Sequence, residues 1–155
     1  MICRARGSFG FTLIEILVVL SIVGILAASS IPILSNVFNV SQLKREAQNI
    51  VAELRLAQEM AETKKTTCCI SFKSKSIFYE SAQIFVERYD YFKGKYVNIK
   101  SIELPKKFDF KEDKVIKFSS SGSPPAGGSG TIVLKDAGGR EKKIIVSSIG
   151  RIRIE

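Results

Sequence analysis

A single carboxylate inside a long apolar run constrains this chain more than any other feature. Arg4 and Arg6 precede Gly10. Phe11-Thr12-Leu13-Ile14-Glu15 then opens a stretch that reaches Leu34 with Glu15 as its one charge. A helix that crosses a hydrocarbon core needs about 20 mostly apolar residues, and this stretch is long enough. A charge at the centre of a bilayer costs about 3 kcal/mol on insertion scales, so a buried acid needs a partner or a task. Arg4 and Arg6 lie close before the run, and Lys44 and Arg45 follow it. The two nearby arginines favour an N-terminus held in the cytoplasm and an exported remainder.

Two plainer readings compete. A secretory signal peptide would use Ala27-Ala28-Ser29-Ser30 as a small-residue cleavage site. Secretory apolar regions are shorter, about 7–15 residues, and gain nothing from a glutamate. An ordinary single-span anchor accounts for the length and leaves Glu15 unexplained.

Gly10-Phe11-Thr12-Leu13-Ile14-Glu15 resembles the processing site of type IV prepilins and of type II secretion pseudopilins. The resemblance implies a leader at 1–10, removed by a prepilin peptidase that cuts after Gly10 on the cytoplasmic face and methylates the new amine of Phe11. Such an amine has a pKa near 8 and is largely protonated at neutral pH. In that family the glutamate of one subunit offsets the amine of a neighbour during filament assembly, and Glu15 is the matching position. Within one chain the two groups lie one helical turn apart, so an intramolecular pair is equally open. The resemblance implies an α+β, pilin-like fold: a long N-terminal transmembrane and amphipathic helix packed on antiparallel β-sheets. It places residues 11–34 in the inner membrane and 35–65 in the exported half-helix. The β-rich head at 66–155 would then be periplasmic or extracellular.

The residues beyond the apolar run agree with such a plan. A chain of 155 residues leaves room for one globular domain after the span. Val40, Leu43, Ala47, Ile50, Leu54, Ala57 and Ala61 recur at spacings of three and four, one face of an amphipathic helix. Lys44, Arg45, Gln48, Asn49, Arg55, Glu59 and Glu62 fill the other face. A helix from Phe11 to about Thr63 is expected, interrupted by Gly24 and Pro32, because an interior proline removes a hydrogen bond. In relatives the stretch between two such positions is a weak point that extends on filament packing. Strands are expected at 66–72, 77–81, 84–88, 97–104, 115–119, 131–135, 143–147 and 151–154, from β-branched and aromatic enrichment between turn-rich gaps.

The later sequence narrows the branch. Phe118, Gly122, Gly130-Thr131-Ile132-Val133-Leu134, Ile144-Ile145-Val146-Ser147 and Gly150-Arg151-Ile152-Arg153 resemble the H-type minor pseudopilins and the FimT-type minor pilins. No cysteine lies beyond Cys69, so the C-terminal disulfide loop of many major pilins is missing. Asp136, Glu141 and Glu155 are too scattered for the calcium loop of major pseudopilins. The resemblance implies a minor pseudopilin of a type II secretion system, with other pilin or pseudopilin subunits as partners.

Chemistry beyond assembly finds little footing. The chain has no histidine, and no nucleophile is paired with a base, so catalysis, a metal and a cofactor are not expected. Cys68 and Cys69 are adjacent, so in a strand they point to opposite faces; one is expected in the core and the other exposed or partly covered. Gly127-Gly128-Ser129-Gly130 lacks the Lys-Ser/Thr of a phosphate-binding loop. The charge is +9, and all but two of the basic residues lie beyond Asn39. Solubility alone explains that balance, yet it also suits anionic partners. Arg151 and Arg153 alternate on the last expected strand, with Arg140, Lys142 and Lys143 on the preceding hairpin. Some FimT-type relatives capture DNA for uptake through a similar segment, and side chains on one face can neutralise successive phosphates.

Overall fold

The computed structural model describes residues 11–155, with the backbone alone for 29–37. The expected leader therefore lies outside the described residues. The chain divides into two compact units, one ending at Val40 and one formed by Ser41–Glu155. Helix α1, Leu13–Thr63, contributes to both.

Both ends of α1 are set by local chemistry. Thr12 is its N-cap: its hydroxyl accepts the Glu15 N–H at 3.3 Å, and its carbonyl accepts those of Glu15 and Ile16 at 3.1 and 3.3 Å. At the other end Lys65 takes a left-handed φ of 50°, and the Thr66 N–H returns to the Ala61 carbonyl at 3.2 Å. This is a Schellman closure with lysine where glycine is usual. Gly24 and Pro32 do not interrupt the helix as expected; α1 is continuous through both. One missing N–H and one flexible residue are local losses that the helical turns on either side absorb.

In the unit Ser41–Glu155, the helical stripe is buried at Leu43, Ala47, Ile50, Leu54, Ala57 and Ala61. Val51 joins it, while Val40 is 51% exposed and stands outside the expected core. The stripe covers two antiparallel sheets. Strands β1 (Cys68–Lys73), β2 (Gln83–Asp90), β3 (Lys95–Glu103) and β5 (Lys114–Phe118) form one, in the order β3-β2-β1-β5. Strands β4 (Phe108–Phe110), β6 (Gly130–Asp136), β7 (Glu141–Val146) and β8 (Ile152–Ile154) form the other, in the order β4-β6-β7-β8. Phe72 of β1 meets Phe110 of β4 edge to face at 5.2 Å, joining the two sheets within one core. The architecture is α+β, as the sequence suggests.

Two strand expectations change. The stretch 77–81 is not a strand. Ser76 and Tyr79 exchange backbone hydrogen bonds at 3.1 Å in both directions, and the tight turn leaves Ile77 and Phe78 exposed. Strand-like composition there finds no neighbouring strand to pair with. Conversely, β4 is a paired strand that composition does not signal, since three residues are too few for a period-two pattern. The last strand starts at Ile152, so Arg151 precedes it.

Candidate assembly and binding surfaces

The described side chains at 11–28 are all exposed, including Phe11, Leu13, Ile14, Ile16, Leu17 and Val18. Among the described residues no helix is long and apolar enough to cross a membrane. The expected span draws its second part from 29–34, whose side chains lie outside that description. Glu15 sits in the first turn of α1, where a negative charge interacts favourably with the helix dipole. Ser21 returns its hydroxyl to the Leu17 carbonyl at 2.8 Å, which satisfies it without solvent. A side chain at Gly24 would meet open space, so glycine is not required there by packing within the chain. Gly10 is outside the described residues, as is the side chain of Pro32.

The helix also holds the loops of the second sheet. Gln58 Nε2 donates to the Gly122 carbonyl at 2.8 Å and to that of Gly150 at 3.4 Å. Gly150 has φ +83°, and a Cβ there would lie 2.9 Å from the Gly122 carbonyl oxygen. Glycine is required at this position for both conformation and space. The Gly-Arg pattern before β8 thus marks a loop clasped by the helix, and Gln58 is a residue that the sequence pattern alone passes over.

The five basic candidates do not form one patch. Arg140 is engaged at the β6–β7 turn, where its guanidinium reaches Asp136 Oδ2 at 2.6 and 2.7 Å and its N–H reaches Oδ1 at 2.9 Å. Burial alone would raise the Asp136 pKa, but these hydrogen bonds and the Arg140 charge hold it below the ordinary value. Lys142 shares the parity of buried Ile144 and Val146, whereas Lys143 alternates to the other face. Arg151 and Arg153 are exposed, and Arg153 lies 3.4 Å from Glu155. Lys143 pairs with Glu155 through the backbone, and Ile145 stands opposite Arg153. Lys143, Arg151 and Arg153 are therefore the neighbours within the set.

Grooves flank the C-terminal half of α1. One of about 700 Å³ separates the helix from β8 and is lined by Val51, Ala52, Arg55, Leu56, Ile152 and Ile154, among others. The other, of about 450 Å³, lies beside β3. There Lys100 pairs with Glu53 at 2.6 Å, and the second Glu53 oxygen is buried with no hydrogen-bond partner. Cys68 and Cys69 are both buried and unpaired, so the thiol expected to be exposed or partly covered is also enclosed. Burial, followed by the neighbouring Glu87 carboxylate, pushes the Cys69 thiol up to about 12. A thiol held protonated is a poor nucleophile.

Comparison with known proteins agrees with motif and architecture. Residues 5–31 match the prokaryotic N-terminal methylation motif. The fold is similar to that of the type IV minor pilin FimU of Pseudomonas aeruginosa, with a TM-score of 0.56 and 16% identity over 74% of this chain and 89% of that one. It is also similar to the minor pseudopilin EpsH from the type 2 secretion system of Vibrio cholerae, with a TM-score of 0.55 and 14% identity over 73% of this chain and 95% of that one. No curated protein sequence matches the chain. The chain thus joins a prokaryotic N-terminal methylation motif to an α+β, pilin-like fold.

Proposed function

We propose that this chain is a minor pseudopilin of a type II protein secretion system, a structural subunit that assembles into a periplasmic pseudopilus. The observation that carries the reading is Glu15 in the first turn of an exposed apolar helix, four residues after Phe11 and within the matched methylation motif. So much exposed apolar surface calls for a bilayer or neighbouring helices to cover it. In the inner membrane the segment anchors the head, with the N-terminus cytoplasmic. During assembly Glu15 meets the methylated amine of Phe11 on a neighbouring subunit, and two charges that are costly in lipid cancel only in the correct axial register. Gly24 and Pro32 would give the helix the local weakness that packing uses.

In the alternative, a FimT-type minor pilin of a type IV pilus captures DNA through its C-terminal strand. The neighbouring positions of Lys143, Arg151 and Arg153 favour it. The engagement of Arg140 with Asp136 and the opposite facing of Lys142 favour the secretion reading. The test is in-cell cross-linking of the full-length chain, wild type and Glu15→Leu, to its partner subunits. Loss of cross-links with membrane insertion intact is expected; wild-type cross-linking would overturn the assembly role. DNA binding that falls steeply with salt and weakens on replacing Arg151 and Arg153 by Ala would favour the alternative.

A further inference from the structure

The β2–β3 hairpin carries an exposed aromatic apex that neither the core nor the assembly helix accounts for. Between Asp90 and Lys95 the chain reads Tyr91-Phe92-Lys93-Gly94. Asp90 Oδ1 accepts the N–H of Phe92 at 2.9 Å and that of Lys93 at 3.3 Å, and Gly94 takes φ +62°. The turn is thus built to hold Phe92 outward, 104% exposed, with Tyr91 at 68%. Tyr89 braces the apex from below, edge to face with Tyr91 at 5.2 Å and with Tyr96 at 5.3 Å. The stem is pinned to the end of α1: the Thr66 hydroxyl donates to the Tyr89 carbonyl at 2.7 Å, and the Tyr89 N–H donates to the Thr67 carbonyl at 2.8 Å.

Cations surround this apex. Lys64, Lys65, Lys93 and Lys95 are exposed, and Arg88 is half-buried. A hollow of about 250 Å³ is lined by Lys64, Arg88, Asp90, Tyr91 and Phe92, among others. Asp90 is the one acid of the turn, and its Oδ1 is occupied as the turn's cap.

We propose that this hairpin is a docking site for an anionic phospholipid surface. Phe92 enters the acyl boundary, the tyrosines stay at headgroup depth, and the lysines meet the phosphates. Tyrosine suits such an interface because one end is apolar and the other polar. Lysine can lay its stem along the apolar region while its ammonium remains with the headgroups. Basic residues close to a negative leaflet add attraction that salt weakens. A single-stranded nucleic acid would need several open ring faces. Here Tyr89 is occupied by Tyr91 and Tyr96, which leaves Phe92 as the ring of the tip with no aromatic neighbour among the described residues. A protruding phenyl ring needs a shaped pocket on a protein partner, whereas lipid accepts it without one. The proposal does not depend on which secretion or pilus system the chain serves.

The sequence contains no tryptophan, so Phe92→Trp places a unique emitter at the apex. Full-length F92W is held in phosphatidylcholine proteoliposomes and mixed with separate vesicles of phosphatidylglycerol carrying brominated acyl chains. A blue-shifted, bromine-quenched emission is expected, lost in high salt. Val115→Trp, on the strand β5 away from the hairpin, is expected to remain unshifted. The double change Lys93→Glu and Lys95→Glu on the F92W background should weaken the response about tenfold or more while leaving the thermal melt unchanged, since both residues are exposed. Emission from F92W that stays aqueous with anionic vesicles would overturn the proposal. So would an equal response to pure phosphatidylcholine vesicles, or a response to single-stranded oligonucleotide without one to vesicles.

Discussion

The hydroxyl of Thr12 accepts the backbone N–H of Glu15 at 3.3 Å. One residue pair therefore starts the helix and positions the acid in its first turn. Thr-x-x-Glu is a capping-box spacing, in which a glutamate side chain can also serve the cap's own backbone N–H without a second subunit. Substitutions can separate the two roles. Glu15→Gln keeps a capping side chain and removes the charge, while Glu15→Leu removes both. If the charge organises assembly, both variants insert in the membrane and both lose cross-links to partner subunits. If capping is the main role, Gln retains them and only Leu fails.

Gly150 tests the clasp between helix and loops. Gly150→Ala places a methyl against the Gly122 carbonyl and Gln58 at a backbone angle that L-residues rarely adopt. A loss of about 1–3 kcal/mol is expected in denaturant unfolding. Gln58→Ala leaves the two carbonyls short of a donor and should cost about 1 kcal/mol.

Lys65 tests the end of α1. Its φ of 50° suits glycine better than lysine. Lys65→Gly should raise stability by about 0.5–1 kcal/mol, because relief of the strained backbone exceeds the added freedom of the unfolded chain. A lower melting temperature would mean that the Lys65 side chain contributes more than its backbone costs.

The alkaline limb of stability tests Cys69. Its folded pKa is raised to about 12, above that of an unfolded thiol near 8.5. Above about pH 8.5 the unfolded state has lost a proton that the folded state keeps. Stability is therefore fully present below that pH and falls as pH rises toward 12. Cys68 shifts in the same direction through burial. Cys69→Ala should flatten part of the decline in melts between pH 8 and 10, and an unchanged slope would remove Cys69 as a cause.

The helix and its stripe were legible because six apolar positions, from Leu43 to Ala61, repeat over several turns and the core enforces that repeat. Most strands were legible for the same reason at period two. The failures have distinct causes. Ile77 and Phe78 have strand-like side chains but no ladder partner, and pairing is a property of the fold. Phe108–Phe110 is a strand through its pairing with β6, across too few residues to leave a pattern. Pro32 broke the expected helix in sequence but not in structure, because propensity is local and the helix is cooperative. Among the candidate residues, the positions of Arg151 and Arg153 on an exposed terminal segment were readable. The capture of Arg140 by Asp136 was not, since it depends on how the β6–β7 turn folds back. Gln58 carried no signal, as a polar residue on a helix is ordinarily solvent-facing.

The central claim is that the chain is processed and assembled as a pilin-like subunit. Mass spectrometry of the N-terminal peptide, from protein purified out of its native membrane, tests it most directly. The account predicts a mature chain that begins at Phe11 with one methyl group on its amine. A mature N-terminus near Ser29 or Ser30, or an uncut chain beginning at Met1, would contradict it.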